Sequence, residues 1–208
     1  MMRVAPEGWP FIILAWLLVA VLAVEFWPAA IPMALVAGWV VAFFRDPVRT
    51  GRRGDDVVIA PADGVVVSII AIDEPKVLGG KSQRVSIFMN VFNVHVNRYP
   101  VSGTITFRHY QKGEFGHAGR EKAALENEHS DVGIATARGT LLTRQIAGSV
   151  ARRIVTDHDV GTVVMQGDRM GLIRFGSRVD VFLPETARIL VKEGDVTQAG
   201  VTAIAEWT

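Results

Sequence analysis

The hydrophobic pattern of the chain changes character near Arg45. Before that point, Trp9 to Phe44 carries one charge, Glu25, and is interrupted by Pro28 and Pro32. Two apolar runs result, Trp9–Val24 and Ala29–Phe44, each of 16 residues. At about 1.5 Å per residue each run reaches roughly 24 Å as a helix, a little under the ~30 Å hydrocarbon core. One continuous helix would be too long for a single crossing. The pattern therefore predicts an N-terminal membrane hairpin over residues 1–45, two short helices joined by a turn at Glu25–Pro32. Arg3 precedes the hairpin and Arg45, Arg49, Arg52 and Arg53 follow it. That excess of arginine places both ends on the cytoplasmic side of the cell membrane. Trp9 and Trp27 suit interfacial positions. A cleaved signal peptide fits less well, because only Arg3 precedes the apolar run and a second run follows at once. A shallow re-entrant hairpin is the other geometry these lengths allow.

Beyond Arg53 the period shortens. Val57–Ala60, Val65–Ile70, Val85–Phe92, Val101–Tyr110, Thr162–Met165 and Arg188–Val191 are short and rich in β-branched residues. Gly, Pro, Asp or Asn bounds each of them, as at strand ends. Many short strands with few helical stretches predict a mainly β, β-sandwich-like domain over residues 46–208. A helix or irregular insert is expected near Gly119–Glu128. Gly167-Asp168 and Gly194-Asp195 lie in similar apolar contexts, which points to two related β-units. The run Val191–Gly200 resembles the turns of lipoyl- and biotinyl-carrier β-sandwiches, without their modified lysine.

Composition narrows the chemistry. The 208 residues suffice for one globular domain plus an appendage. A net charge of +1 gives no global electrostatic preference. The absence of cysteine excludes disulfides, thiolate nucleophiles and Cys-ligated metals. No His/Asp/Glu spacing reads as a metal site, and no glycine-rich phosphate loop follows a strand. Basic residues are not interleaved with aromatics as in a nucleic-acid module, so no nucleic-acid partner is expected.

One dipeptide carries unusual chemistry. Gly176-Ser177 lies within Gly171–Pro184. A serine after a glycine can attack the carbonyl of its own peptide bond, and a glycine without Cβ leaves the strained backbone open. The N-to-O acyl shift gives an ester. β-Elimination then breaks the chain and leaves dehydroalanine, which hydrolyses to a pyruvoyl group. Gly148-Ser149 has the same pair and reads as a plain turn. Alone, Asp63 before Gly64 reads as a turn former. His95 between Val94 and Val96 reads as a strand residue on the face opposite both valines, towards solvent or a cleft. Asn93, Asn97, Arg98 and Tyr99 are its polar companions, and Arg98 suits a carboxylate or phosphate.

Four segments together resemble the pyruvoyl-dependent phosphatidylserine decarboxylases in their short bacterial and archaeal form. They are Ala60-Pro-Ala-Asp-Gly64, Asn93–Gly103, Lys112-Gly-Glu-Phe115 with Glu126-Asn-Glu128, and the Gly176-Ser177 stretch, in that order. The resemblance runs from about Arg45 to the C-terminus. It implies a proenzyme cut between Gly176 and Ser177 into a long chain, 1–176, and a short chain, 177–208, that stay associated. Ser177 would become the pyruvoyl (pyruvate) cofactor, form a Schiff base with phosphatidylserine, and yield phosphatidylethanolamine and CO₂. Asp63 would support self-cleavage and His95 would carry protons, a task imidazole suits near neutral pH. The long-form pattern has two histidines three residues apart, whereas here His95 is followed by Arg98. His117 and His129 are weaker candidates for a second carrier. Membrane lipids are expected partners, and homo-oligomerisation stays open. Three rival readings remain: a pyruvoyl decarboxylase of another amino acid, a non-catalytic membrane-anchored β-sandwich binding module, and a zinc peptidase lacking the usual ligand spacing.

Overall fold

A computed structural model describes residues 2–113, 127–148, 153–174 and 176–208. Glu114, Phe115, His117, Glu126, Ser149, Phe175 and most of the Gly119–Glu128 insert lie outside the described residues. Two compact units are present, Met1–Val48 and Arg49–Thr208.

The first unit contains strand β1 (Met2–Val4), a short 3₁₀ turn, helices α1 (Trp9–Glu25) and α2 (Trp27–Phe43), and strand β2 (Arg45–Pro47). β1 and β2 pair antiparallel and close the base of the hairpin. Pro6–Glu25 is long and apolar enough to cross a membrane; Trp27–Phe43 is apolar but shorter. The expected turn at Glu25–Pro32 shrinks to one residue, Phe26. Pro28 sits in the first turn of α2, where its missing N–H has no helical partner to lose. Pro32 lies inside α2 and removes one backbone bond without ending the helix. Leu14, Leu17, Val24, Trp27 and Leu35 are exposed. Helices that are apolar all round and exposed suit a lipid surrounding.

The second unit is built of strands: β3 (Val57–Ile59), β4 (Gly64–Glu74), β5 (Gly80–Met89), β6 (Val96–Arg98), β7 (Gly103–Gln111), β8 (His129–Thr136) and β9 (Gly139–Ala147). β10 (Ile154–Thr156), β11 (Val163–Val164), β12 (Arg169–Ile173), β13 (Ser177–Pro184), β14 (Arg188–Ile189), β15 (Val196–Thr197) and β16 (Ala203–Glu206) follow. All six predicted segments contain strand. The third ends early, at Met89, because Asn90 and Asn93 turn the chain: the Asn93 side chain accepts from Asn90 N at 2.8 Å and that of Asn90 from Phe92 N at 2.9 Å.

One curled eight-stranded sheet runs β11-β7-β8-β9-β13-β5-β4-β15, with three-stranded sheets β10-β12-β6 and β14-β16-β3 beside it. The order is palindromic, and the details repeat. β4 bulges between Val66 and Ser68, β7 between Ile105 and Phe107. β15 meets β4 as β11 meets β7. The turn at Gly194 brackets Val66 with two main-chain bonds, and the turn at Gly161 brackets Ile105 the same way. Gly200 bonds the Ala60 carbonyl as Gly167 bonds that of Tyr99, each at 2.8 Å. A Cβ on Gly64 would lie 2.1 Å from the Phe88 carbonyl oxygen, and one on Gly103 2.3 Å from that of Ala135. Two related β-units are therefore present. The pairing differs from the sequence expectation: Gly194 corresponds to Gly161, and Gly167 to Gly200.

The two halves differ at one point. β8 turns into β9 directly through Thr136–Gly139. The corresponding neighbour of β5 is β13, which the chain reaches only after passing from Asn90 to Gly176. Val179, Val181 and Leu183 of β13 join the apolar core with Val85, Ile87, Val132, Ile134 and Leu141.

Candidate active site

Ser177 opens β13, paired to Met89 of β5 on one side and Ala147 of β9 on the other. Gly176 before it has φ +63°, the left-handed region, and no atom lies within 4 Å of a Cβ built there. Backbone conformation, and not crowding, requires glycine at this position. Alternation puts Ser177 on the same face as Val179 and Val181, so its hydroxyl is fully buried. Its Oγ donates to the Met89 sulfur at 3.3 Å.

The same sulfur receives a second donor, Asn97 Nδ2, at 3.6 Å. Asn97 Oδ1 accepts from Gln145 Nε2 at 2.8 Å, and Gln145 Oε1 accepts from Thr156 Oγ1 at 2.9 Å. Thr156 Oγ1, having donated its proton, accepts from Ser130 Oγ at 2.9 Å. This relay, buried except at the half-buried Thr156, crosses β8, β10, β9 and β6 and ends one sulfur away from Ser177.

His95 immediately precedes β6 and is fully buried, as are Val96 and Asn97. The solvent-facing alternative is therefore excluded. Extended chain has a period of two, so His95 lies on the Asn97 face. Its main-chain carbonyl accepts from Ile173 N at 3.4 Å, four residues before Ser177. The Asn93 carbonyl lies 3.0 Å from Nδ1. A carbonyl can only accept, so Nδ1 carries the proton and Nε2 is the basic nitrogen of the neutral ring.

Asp63 bonds elsewhere. Its Oδ2 takes Arg49 Nη2 at 2.7 Å and its Oδ1 takes Ala199 N at 2.8 Å. In the other half, Ser102 Oγ takes Gln166 N at 2.9 Å in the equivalent place. One Asp63 oxygen thus does the turn-closing work of its counterpart, and the other holds Arg49. The remaining post-hairpin arginines are also engaged: Arg52 pairs with Asp56 and Glu206, and Arg53 donates to the Gly200 carbonyl at 2.7 Å. Arg98 donates to the Gly167 carbonyl at 3.1 Å.

The opposite face of β13 is charged and buried. Arg178 clasps Asp180 at 2.6 and 2.7 Å, with Arg84 Nε 3.8 Å from the same carboxylate. On β8 and β9, Arg144 clasps Asp131 at 2.6 and 2.9 Å. His109, His129 and Asp131 bring ligand-type atoms within 4.8 Å of one another, a cluster that linear spacing hid because it spans β7 and β8. Arg144 occupies both Asp131 oxygens, which sets a fixed cation against any metal there. Burial first, then Arg144 and His109, lower the His129 pKa, while the Asn127 carbonyl and Asp131 act against them. Tyr110, half exposed, is pushed up to about 12 by partial desolvation first and then by Glu128 beside it.

Sequence reasoning singled out Ser177, which opens β13, His95, which is buried just before β6, and Asp63, which the fold ties to Arg49 and Ala199. It missed Met89, Gln145, Thr156 and Ser130. No local signal marks them, since their partners lie 8 to 88 positions away.

A family model described as phosphatidylserine decarboxylase matches residues 36–205. Among curated proteins, a phosphatidylserine decarboxylase proenzyme of Magnetococcus marinus is 46% identical over 202 residues, covering 96% of this chain and 93% of the relative. A proenzyme of the same description from Nitrosomonas eutropha is 45% identical over 208 residues, covering 98% and 95%. Another from Symbiobacterium thermophilum is 44% identical over 203 residues, covering 97% and 94%.

Proposed function

The chain belongs to the phosphatidylserine decarboxylase family, and from that membership we propose how its own residues do the work. It is a carboxy-lyase, made as a proenzyme, that converts phosphatidylserine to phosphatidylethanolamine and CO₂. The observation that carries the reading is the fully buried Ser177 directly after a left-handed Gly176.

Ser177 Oγ attacks the Gly176 carbonyl carbon while its proton passes to His95 Nε2. The C–N bond breaks as the ester forms, and the freed nitrogen takes the proton. Loss of the Cα proton of residue 177 then breaks its Cβ–O bond and releases Gly176 as a carboxylate. Water adds to the resulting dehydroalanine and ammonia leaves, so residue 177 ends as a pyruvoyl cap. The site fits such a cap: the position is buried, and it is held between Met89 and Ala147 by strand pairing on both sides. Once formed, the cap supplies a ketone that takes up the substrate amine and the electron pair left by CO₂. His95 then returns a proton to the substrate α-carbon. Asp63 supports processing as a fixed carboxylate held by Arg49 and the Ala199 amide.

Residues 1–45 anchor the enzyme in the cell membrane as a helical hairpin, and residues 46–208 carry the chemistry on the cytoplasmic side. The 1–176 and 177–208 chains remain together because β13 pairs with β5 and β9, both in the long chain.

Intact mass tests this. Purified protein should divide between Gly176 and Ser177, with a borohydride-sensitive carbonyl on the short chain, and Ser177→Ala should stay whole. His95→Ala should process about 10²–10⁴-fold more slowly, the usual loss when acid–base help is removed. Active wild-type protein that remains one chain would end the proposal.

A further inference from the structure

Two buried donors beside the scissile bond, Ser177 Oγ and Asn97 Nδ2, share one poor acceptor. The Met89 sulfur lies 3.3 Å from the first and 3.6 Å from the second. A thioether accepts weakly, so neither group is well satisfied, although Ser177, Asn97 and Met89 are all fully buried. Buried polar groups ordinarily find strong partners. The exception stands where the family's chemistry requires a ligand.

The Asn97 amide is also aimed. Gln145 donates to its oxygen, Thr156 donates to Gln145, and Ser130 donates to Thr156. Gln145 takes the Asn97 oxygen, which leaves the Asn97 N–H₂ to face Met89. The relay has no net charge, and its members are buried except the half-buried Thr156.

We propose that Met89 holds the place of the substrate's carboxylate, and that Asn97 Nδ2–H binds that carboxylate when the headgroup enters. Methionine is unbranched and flexible, so its sulfur can swing aside at little cost. A neutral donor suits a group that must depart as CO₂. It orients the carboxylate without the strong ground-state stabilisation a guanidinium would give, which would raise the barrier to decarboxylation. The arrangement makes Asn97 the residue that distinguishes a serine headgroup from one lacking a carboxylate. This inference rests on the proposed function.

The test uses the self-processed full-length enzyme in detergent and two short-chain lipids that lack an amine and so cannot react. Phosphatidylglycerate carries a carboxylate where phosphatidylglycerol carries a hydroxymethyl group. Calorimetry should show that the wild-type enzyme prefers the glycerate. Asn97→Ala should weaken the glycerate about 10–100-fold, the range for a lost hydrogen bond to a charged group, and leave phosphatidylglycerol unchanged. Gln145→Ala, which frees the amide to turn, should show the same selective loss to a smaller degree. Met89→Leu keeps the volume, removes the sulfur, and should retain the preference. Equal losses for both lipids, or a preference that survives in Asn97→Ala and Gln145→Ala alike, would overturn the inference. A wild-type enzyme without preference also overturns it, while the mass of residue 177 decides the parent reading separately.

Discussion

The surroundings of His129 disfavour its charged form. Burial is the main cause, and Arg144 and His109 act in the same direction. The folded-state pKa therefore lies below the ordinary 6.5 of the unfolded chain. Between those two values the unfolded chain binds more protons, so stability rises with pH there. Its contribution is complete above about 6.5, and declines as pH falls through that value towards the folded pKa. Thermal melts from pH 7.5 to pH 5 should show wild type losing stability faster than His129→Asn. Parallel curves would mean that His129 titrates alike in both states. At this scale the sequence marks Ser177, His95 and Asp63 as candidates because they stand inside recognisable motifs. It does not mark Met89 and Gln145: their significance lies in partners that only the folded sheet brings near.

The strand β13 shows what alternation hides. Arg178 and Asp180 look in sequence like the solvent face of a half-exposed strand, alternating with Val179 and Val181. Instead Ser177–Leu183 is buried on both faces. Polarity there is met by ion pairing: Arg178 and Arg84 converge on Asp180. Removing one partner of such a group leaves a charge buried without its counterion. Asp180→Asn, nearly isosteric, should lower unfolding stability by about 3–5 kcal/mol. Denaturant titration of the Ser177→Ala chain would measure this without interference from scission. A change under 1 kcal/mol would show that the pair adds little beyond packing. The helices make the complementary point. Their existence followed from apolar run length, but the width of their turn did not. Proline has no N–H, yet the first turn of a helix needs none, so Pro28 did not break α2 where sequence suggested an interruption.

Across the whole molecule, the duplication was faintly legible in Gly167-Asp168 and Gly194-Asp195, and misregistered. Equivalent glycines are recognised by the main-chain bonds they make, and those are invisible until strands pair. The structure also shows where the two halves differ. One completes its sheet with a tight hairpin; the other borrows β13–β16 after a long excursion, and the proposed scission falls where that borrowed segment begins. Cutting there removes the backbone nitrogen of residue 177 but leaves the pairing of Arg178–Pro184 with β5 and of Arg178–Phe182 with β9 in place. It does alter the molecularity of unfolding. An uncut chain melts as a first-order event, whereas a nicked one must also let a 32-residue fragment (177–208) diffuse away. Melting temperature should therefore climb with protein concentration for the mature enzyme and stay flat for Ser177→Ala, in a dilution series followed by fluorescence. Scission at this place would turn durability into a matter of mass action, and crowding the enzyme on a bilayer would then guard it against falling apart.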